Sequence, residues 1–286
     1  MKLCLDLAVY WTGRPQGHRA GLLHFFERSL ELVGDSLRFY RTASMRKPHP
    51  VDADALAMLP HWLGDEEFDE DYWMMYLESG SAPGEPSDRA LRFHYDAEGD
   101  AGEFRLVLPV DTIDRRGAQG IVDLYAELVA SLGFASGLAG YGLNWDYLDR
   151  SRAAFRAIRS VSQRYRGIDV PACGSTEYVI PRGIKGPGWL TLLSDALLHR
   201  LGGIAALEKA LGGRATVRRI SGGSIVQAGA MPSIGDVNQR HALPHYDAVG
   251  RALAPIRAKG HPAILHDDRG IGDEDITEAW LARFEL

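Results

Sequence analysis

The chain has 286 residues, which is enough for one large domain or two small ones. It carries 32 Lys and Arg against 38 Asp and Glu, a net charge of −6, which argues against direct nucleic-acid binding because that normally needs a basic surface. No stretch approaches the roughly 18 apolar residues that span a bilayer, and the two cysteines form no disulfide framework. We therefore expect a cytoplasmic protein without a membrane segment.

In the first half of the chain, strands and helices are predicted in irregular succession. Alternation with a period of two indicates the strands, and apolar residues three or four apart indicate the helices. The predicted strands are 3–9, 37–43, 72–78, 90–96 and 103–110. The predicted helices are 17–33, 52–63 and 112–132.

In the second half, helices predominate. The glycine-rich segment 134–143 fits either a weakened strand or a loop. The remaining predictions are a hairpin at 215–229 and helices at 147–166, 189–201, 202–213, 244–258 and 274–285. Because no regular βαβ rhythm is present, the order predicts an α+β fold with mixed sheets and packed helices. It allows a single domain over 1–286 built from two lobes, about 1–145 and 146–286.

The segment RGIKGPGW at 182–189 raises the question of a phosphate-binding loop. Such a loop needs the spacing G-x-x-x-x-G-K-[ST] after a strand, whereas here Lys185 precedes Gly186. Pro187 also removes one backbone N–H that a phosphate would use. We therefore interpret the segment as a tight turn that leads into the predicted helix at 189–201, with Trp189 anchoring that helix in the core.

No complete catalytic or metal-binding pattern is present. His241 and His245 are four residues apart, but Pro244 between them favours a helix start, and no HExxH motif or cysteine pair supports a metal. The G-x-S-x-G motif of serine hydrolases is also absent. We expect a protein without catalytic activity, cofactor or metal; an enzyme that uses the glycine-rich loops on a small molecule remains the alternative.

One run of acidic residues stands out. It comprises Asp65, Glu66, Glu67, Phe68, Asp69, Glu70 and Asp71. A block of like charges is commonly a solvated loop. The alternative is a docking surface for a basic partner, for which Phe68, Tyr72 and Trp73 would supply apolar anchors.

Several motifs together resemble a bacterial type VI immunity family whose members protect against VRR-NUC nuclease effectors. The densest are GIKGPGWLTLLSDALLHRLGG, GGSIVQAGAMPSIGDVN and YDAVGRALAPIR, and the ending AWLARFEL is similar as well. The opening LCLDLAVYW and the middle segment AGYGLNWD extend the resemblance over nearly the whole chain. The acidic run and the loop at 79–88 lie outside the shared pattern.

The resemblance implies a protein that is not an enzyme and that binds a co-produced nuclease effector, a DNase, and blocks it. The partner would be that effector alone, without direct contact to nucleic acid or membrane. The shared residues have the character of fold determinants. They include Gly183, Lys185, Gly186, Trp189, Gln227, Gly229, Gly235, Asp236 and Asn238. The last three are expected to form a turn with Asp and Asn side-chain caps.

Overall fold

The computed structural model describes residues 1–65, 70–146 and 151–285, and within these ranges ten strands form one sheet. The strands are β1 (Lys2–Thr12), β2 (Phe39–Thr42), β3 (His49–Pro50), β4 (Tyr72–Glu78), β5 (Ala90–Asp96), β6 (Ala101–Leu108), β7 (Ser136–Asn144), β8 (Leu190–Ser194), β9 (Thr216–Ile220) and β10 (Gly223–Gln227). Their order across the sheet is β3-β2-β4-β5-β6-β1-β7-β8-β10-β9.

The pairing of these strands is antiparallel throughout the described part of the sheet. The α+β prediction is confirmed, but parallel and antiparallel pairing are not mixed between these strands. Since β7 pairs with both β1 and β8, the sheet passes without a break from the first predicted lobe into the second.

Eight α-helices flank the sheet in the described ranges. They are α1 (Arg19–Val33), α2 (Ala53–Gly64), α3 (Thr112–Leu128), α4 (Arg152–Arg164), α5 (Asp195–Arg200), α6 (Ile204–Leu211), α7 (Pro244–Leu253) and α8 (Glu274–Leu281). None of the helices in residues 1–65, 70–146 and 151–285 combines the length and apolar character that crossing a bilayer would need.

One face of the sheet is apolar and packs against α1, α2 and α3. On β1, Leu7 and Trp11 belong to this core together with Phe25 of α1 and Phe104 of β6. The rings of Phe25 and Phe104 stack with centroids 4.5 Å apart. Burying such a side chain contributes roughly 1.5–3 kcal/mol, so this face supplies much of the stability of the first half.

The opposite face carries charged side chains and is covered by the second half of the chain. Asp6 and Tyr10 point to this side of β1, because side chains alternate along a strand. Residue 169 lies alongside β7: the Asp169 N–H donates to Tyr141 O at 2.8 Å, and its carbonyl accepts from Leu143 N. On this face the side chains of Asp6, Glu103 and Arg105 are buried.

The predicted helix at 189–201 is wrong, because β8 occupies Leu190–Ser194 and only Asp195–Arg200 is helical. β8 is buried on both faces, so its leucines show no strand alternation and mimic a helical stripe. Ser194 then caps α5 by accepting the Leu197 N–H. Trp189 is fully buried as expected, but it precedes a strand and not a helix.

The glycine-rich segment at 134–143 is a central strand, β7. A Cβ at Gly137 would lie 2.3 Å from the Tyr125 hydroxyl, and one at Gly142 would lie 2.9 Å from the Asp6 side chain. These glycines therefore admit neighbouring side chains to the sheet surface.

Candidate functional site

The acidic run connects α2 to β4. Glu66, Glu67, Phe68 and Asp69 lie outside the described residues. The backbone at both ends of the run is held in place: the Asp65 N–H donates to His61 O at 3.0 Å, Glu70 O accepts from Trp73 Nε1 at 2.7 Å, and Asp71 O accepts from the Ala97 N–H at 2.8 Å.

The carboxylates of Glu70 and Asp71 are exposed to solvent. Neither forms an ion pair with another described residue. Two exposed carboxylates thus lie on a hydrogen-bonded stretch of backbone beside the start of β4.

A cavity of about 490 Å³ adjoins these carboxylates; we call it the aromatic cavity. Its lining includes Trp62 of α2, Glu70, and Tyr72, Trp73 and Met74 of β4. Tyr72 is 44% exposed and meets the ring of His94 edge-on at 4.8 Å, whereas Trp73 is almost fully buried. Of the three aromatic anchors expected beside the acidic run, Tyr72 is the accessible one, Trp73 forms the wall, and Phe68 is outside the described residues.

The glycine loop does not present a lysine for phosphate. The Lys185 side chain is only 1% exposed, and its Nζ donates to both Asp169 carboxylate oxygens, at 2.7 and 2.9 Å, and to Val170 O at 2.7 Å. All three ammonium donors are therefore used inside the protein. Gly183 allows a close backbone approach, since a Cβ there would lie 2.0 Å from Ile256 O, whereas a Cβ at Gly186 would meet nothing closer than 3.7 Å.

Lys185 belongs to a charge network buried between the sheet and the segment that covers it. Arg105 lies at its centre and donates to Asp6 Oδ2, to Glu103 Oε1 and, at 3.3 Å, to Tyr10 Oη. Asp169 links the two cations, with its Oδ2 3.9 Å from Arg105 Nη1. We call Asp6, Glu103, Arg105, Asp169 and Lys185 the buried network.

Burial and mutual attraction compete within the buried network. Burial raises the pKa of Asp6 to about 6; Arg105 opposes this effect, while Asp169 and Glu103 add to it. Burial alone would raise the pKa of Asp169 too, but Lys185 and Arg105 bring it below its ordinary value. Burial lowers the pKa of Lys185, and Asp169 opposes that change. Each charge of the network therefore lies beside an opposite charge, which offsets part of the cost of burying it.

A second buried pair joins β5 to the covering segment. His94 Nδ1 lies 2.6 Å from Glu177 Oε1, and both side chains are essentially inaccessible. Burial alone would lower the pKa of His94, but the Glu177 carboxylate overcomes this and raises it. The sequence did not predict the buried network or the His94–Glu177 pair. A charged residue in a strand indicates a polar face, but it does not indicate whether another segment covers that face.

The other shared motif residues join strands, loops and helices. Trp189 Nε1 donates to Gly229 O at 3.1 Å, and Gln227 lies in β10 opposite Leu190. Asp236 accepts the Asn238 N–H at 3.0 Å and pairs with Arg164 at 2.8 Å.

The turn at 235–238 is therefore capped by Asp236, as expected. The Asn238 side chain is exposed, and the asparagine cap stays a prediction. Gly235 has a φ of +62°, and a Cβ there would lie 2.4 Å from Leu243 Cδ1, which explains the need for glycine.

A larger cavity of about 650 Å³ lies between α4, α7 and α8. Its lining includes Ser162, Arg166, Asp247, Trp280 and Arg283. Arg166 pairs with Asp247 at 2.9 Å, and Arg283 packs over the Trp280 ring at 4.1 Å while donating to backbone carbonyls. The Ser162 hydroxyl donates to Arg159 O. The two arginines in this lining are thus engaged within the protein, Arg166 by Asp247 and Arg283 by Trp280 and backbone carbonyls.

Comparison with known proteins gives one family and one fold. The model of the family TsiV, described as type VI immunity for VRR-NUC, matches residues 22–284. No curated protein matches the sequence significantly. Among solved structures, the Pseudomonas aeruginosa T6SS protein PA0821 superposes with a TM-score of 0.78 at 22% identity, covering 99% of this chain and 84% of that one. This likeness shows a shared fold, and the match over residues 22–284 shows that the chain belongs to the TsiV family of type VI immunity proteins.

Proposed function

We propose that this protein binds a co-produced nuclease effector of the VRR-NUC type and blocks its activity on DNA. The observation that carries the proposal is the family match over residues 22–284. The interaction would take place in the cytoplasm, where the DNA that such an effector attacks is found.

The charge of the protein supports this proposal. A nuclease needs a basic surface to hold the phosphate backbone. A protein of net charge −6 would be attracted to that surface, and carboxylates at the contact would raise the association rate. Covering the same surface would exclude DNA and so occlude the active site.

We further propose that the acidic run and the aromatic cavity form part of the contact. Glu70 and Asp71 present exposed carboxylates, and Tyr72 presents an exposed aromatic ring beside them. Interfaces gain most of their affinity from a few aromatic or arginine anchors, while peripheral charges mainly set the association rate. The site combines both kinds of group.

We favour this function over the alternative, an enzyme of unknown type that acts on a small molecule through the glycine-rich loops. Lys185 in the loop at 182–189 uses its donors on Asp169 and Val170. Gly137 and Gly142 lie within β7, where they make room for protein side chains.

Co-expression with the nuclease effector encoded beside this gene tests the proposal. We expect the two proteins to purify as a complex and the cells to survive effector expression only when this protein is present. An unrelated nuclease effector serves as the control. Survival without any complex, or a complex without protection, would contradict the proposal.

A further inference from the structure

The aromatic cavity has the composition of a site for a single cationic side chain. It offers about 490 Å³, within the range of small-ligand pockets. Trp62 of α2, Tyr72 and Trp73 of β4, and Glu70 are among the residues that line it. An apolar residue alone would leave the Glu70 carboxylate without a partner.

Tyr72 is placed to receive a cation. Its ring is 44% exposed, and its described ring contact is the edge-on one with His94. The negative face of an aromatic ring attracts a guanidinium or an ammonium group, and the attraction grows when water is excluded.

Arg41, which lies near Tyr72, is not the cation that pairs with Glu70. Arg41 acts electrostatically on the Tyr72 hydroxyl, yet its Nε donates to Met45 O at 3.3 Å in the turn after β2. The exposed Glu70 carboxylate makes no ion pair with it or with any other described residue.

We infer that the aromatic cavity receives one arginine side chain of the effector, stacked on Tyr72 and paired with Glu70; this inference rests on the proposed function. Arginine fits better than lysine, since its guanidinium is flat enough to stack on the ring while donating two parallel hydrogen bonds to a carboxylate. A DNA-binding effector has such side chains on the surface that meets phosphate.

The test is the affinity of the purified effector for three single variants, measured by calorimetry. Tyr72→Ala is expected to weaken binding by roughly 10- to 100-fold, as for an interface anchor. Tyr72→Phe keeps the ring and is expected to stay within about 2-fold of the wild type. Glu70→Gln keeps the shape but removes the charge, and is expected to cost about 10-fold.

Glu208→Gln is the matched control. Glu208 is an exposed acid on α6, which packs near β9 at the far edge of the sheet from β2 and β4, so its loss should leave affinity unchanged. The melting temperature of each variant separates lost binding from lost folding. If Tyr72→Ala is unstable, Tyr72→Thr, which suits a strand better, replaces it.

The outcomes separate the two proposals. Wild-type affinity in both Tyr72→Ala and Glu70→Gln overturns the arginine inference alone. Loss in Tyr72→Ala with no loss in Glu70→Gln means an apolar occupant and also overturns it. Absence of any complex with the wild-type protein overturns the proposed function, and the inference with it.

Discussion

The charged side chains of the buried network and those of the acidic run differ in where their ion-pair partners lie. In the buried network, Arg105 and Lys185 meet the carboxylates of Asp6, Glu103 and Asp169 inside the protein. At the acidic run, the carboxylates of Glu70 and Asp71 face solvent and have no ion-pair partner among the described residues.

The buried charges therefore support the fold, whereas the exposed carboxylates are available to bind a partner. A buried charge must be paired, or folding would pay its full desolvation cost. An exposed carboxylate carries no such penalty, so it can stay unpaired until a partner arrives. Substitutions in the buried network should therefore change stability, and substitutions in the acidic run should change association.

Arg105→Met should be one of the two most destabilising of these substitutions. It removes the cation shared by Asp6 and Glu103, and breaking a buried ion pair in this way typically costs about 3–5 kcal/mol. The measurement is the free energy of unfolding in urea. A loss below about 1 kcal/mol would show that water reaches the network and that its charges are not structural.

Trp189→Ala should cost about 3–5 kcal/mol, because it empties a fully buried site and leaves Gly229 O without its donor. Trp189→Phe is the control; it keeps most of the volume and loses the hydrogen bond, so about 1–3 kcal/mol is expected. An unchanged melting temperature in Trp189→Ala would mean that this motif residue does not support the fold.

Asp6 should make stability depend on pH in a direction opposite to that of most carboxylates. Its pKa in the folded protein is about 6, above the ordinary 3.8, so the folded state holds this proton more tightly. The resulting stabilisation is full below pH 3.8 and is lost as the pH rises through about 6; it amounts to about 3 kcal/mol.

The Asp6→Asn variant isolates this contribution because it is neutral at every pH. Relative to the variant, the wild type should lose about 3 kcal/mol of unfolding free energy between about pH 4 and pH 7. A difference that stays constant, or that grows in favour of the wild type, would show that Arg105 holds Asp6 ionised in the folded state.

Neutralising the acidic run should have the smallest effect on stability. Replacing Glu66, Glu67 and Glu70 by Gln and Asp69 and Asp71 by Asn should change the free energy of unfolding by less than about 0.5 kcal/mol. The association rate with the effector should fall by roughly 10-fold or more at low salt, and its salt dependence should flatten. Stopped-flow or surface binding kinetics at two salt concentrations measures both. An unchanged association rate and salt dependence would indicate that the acidic run is a solvated loop.

The sequence predicted those elements whose local pattern matched their surroundings. The strands at 72–78 and 90–96 have the predicted bounds, because their periodicity is local. The helix predicted at 189–201 is wrong in its first part, because β8 is buried on both faces and its leucines therefore do not alternate with polar residues.

At the candidate site, too, the sequence did not reveal contacts between residues that are far apart in the chain. The acidic run and its aromatic neighbours were visible as a sequence cluster, but the cavity between them also needs Trp62 of α2. The buried network joins residues 6, 105, 169 and 185, and no local pattern relates positions that are so far apart.

The most direct test of the account is inhibition of the effector in solution. Purified effector would be mixed with increasing amounts of this protein, and DNA cleavage and complex formation would be followed in the same samples. We predict that cleavage falls in proportion to the complex formed, and that the neutralised acidic-run variant needs a higher concentration than the wild type although it is equally stable. Full cleavage by an effector that is saturated with this protein would contradict the account.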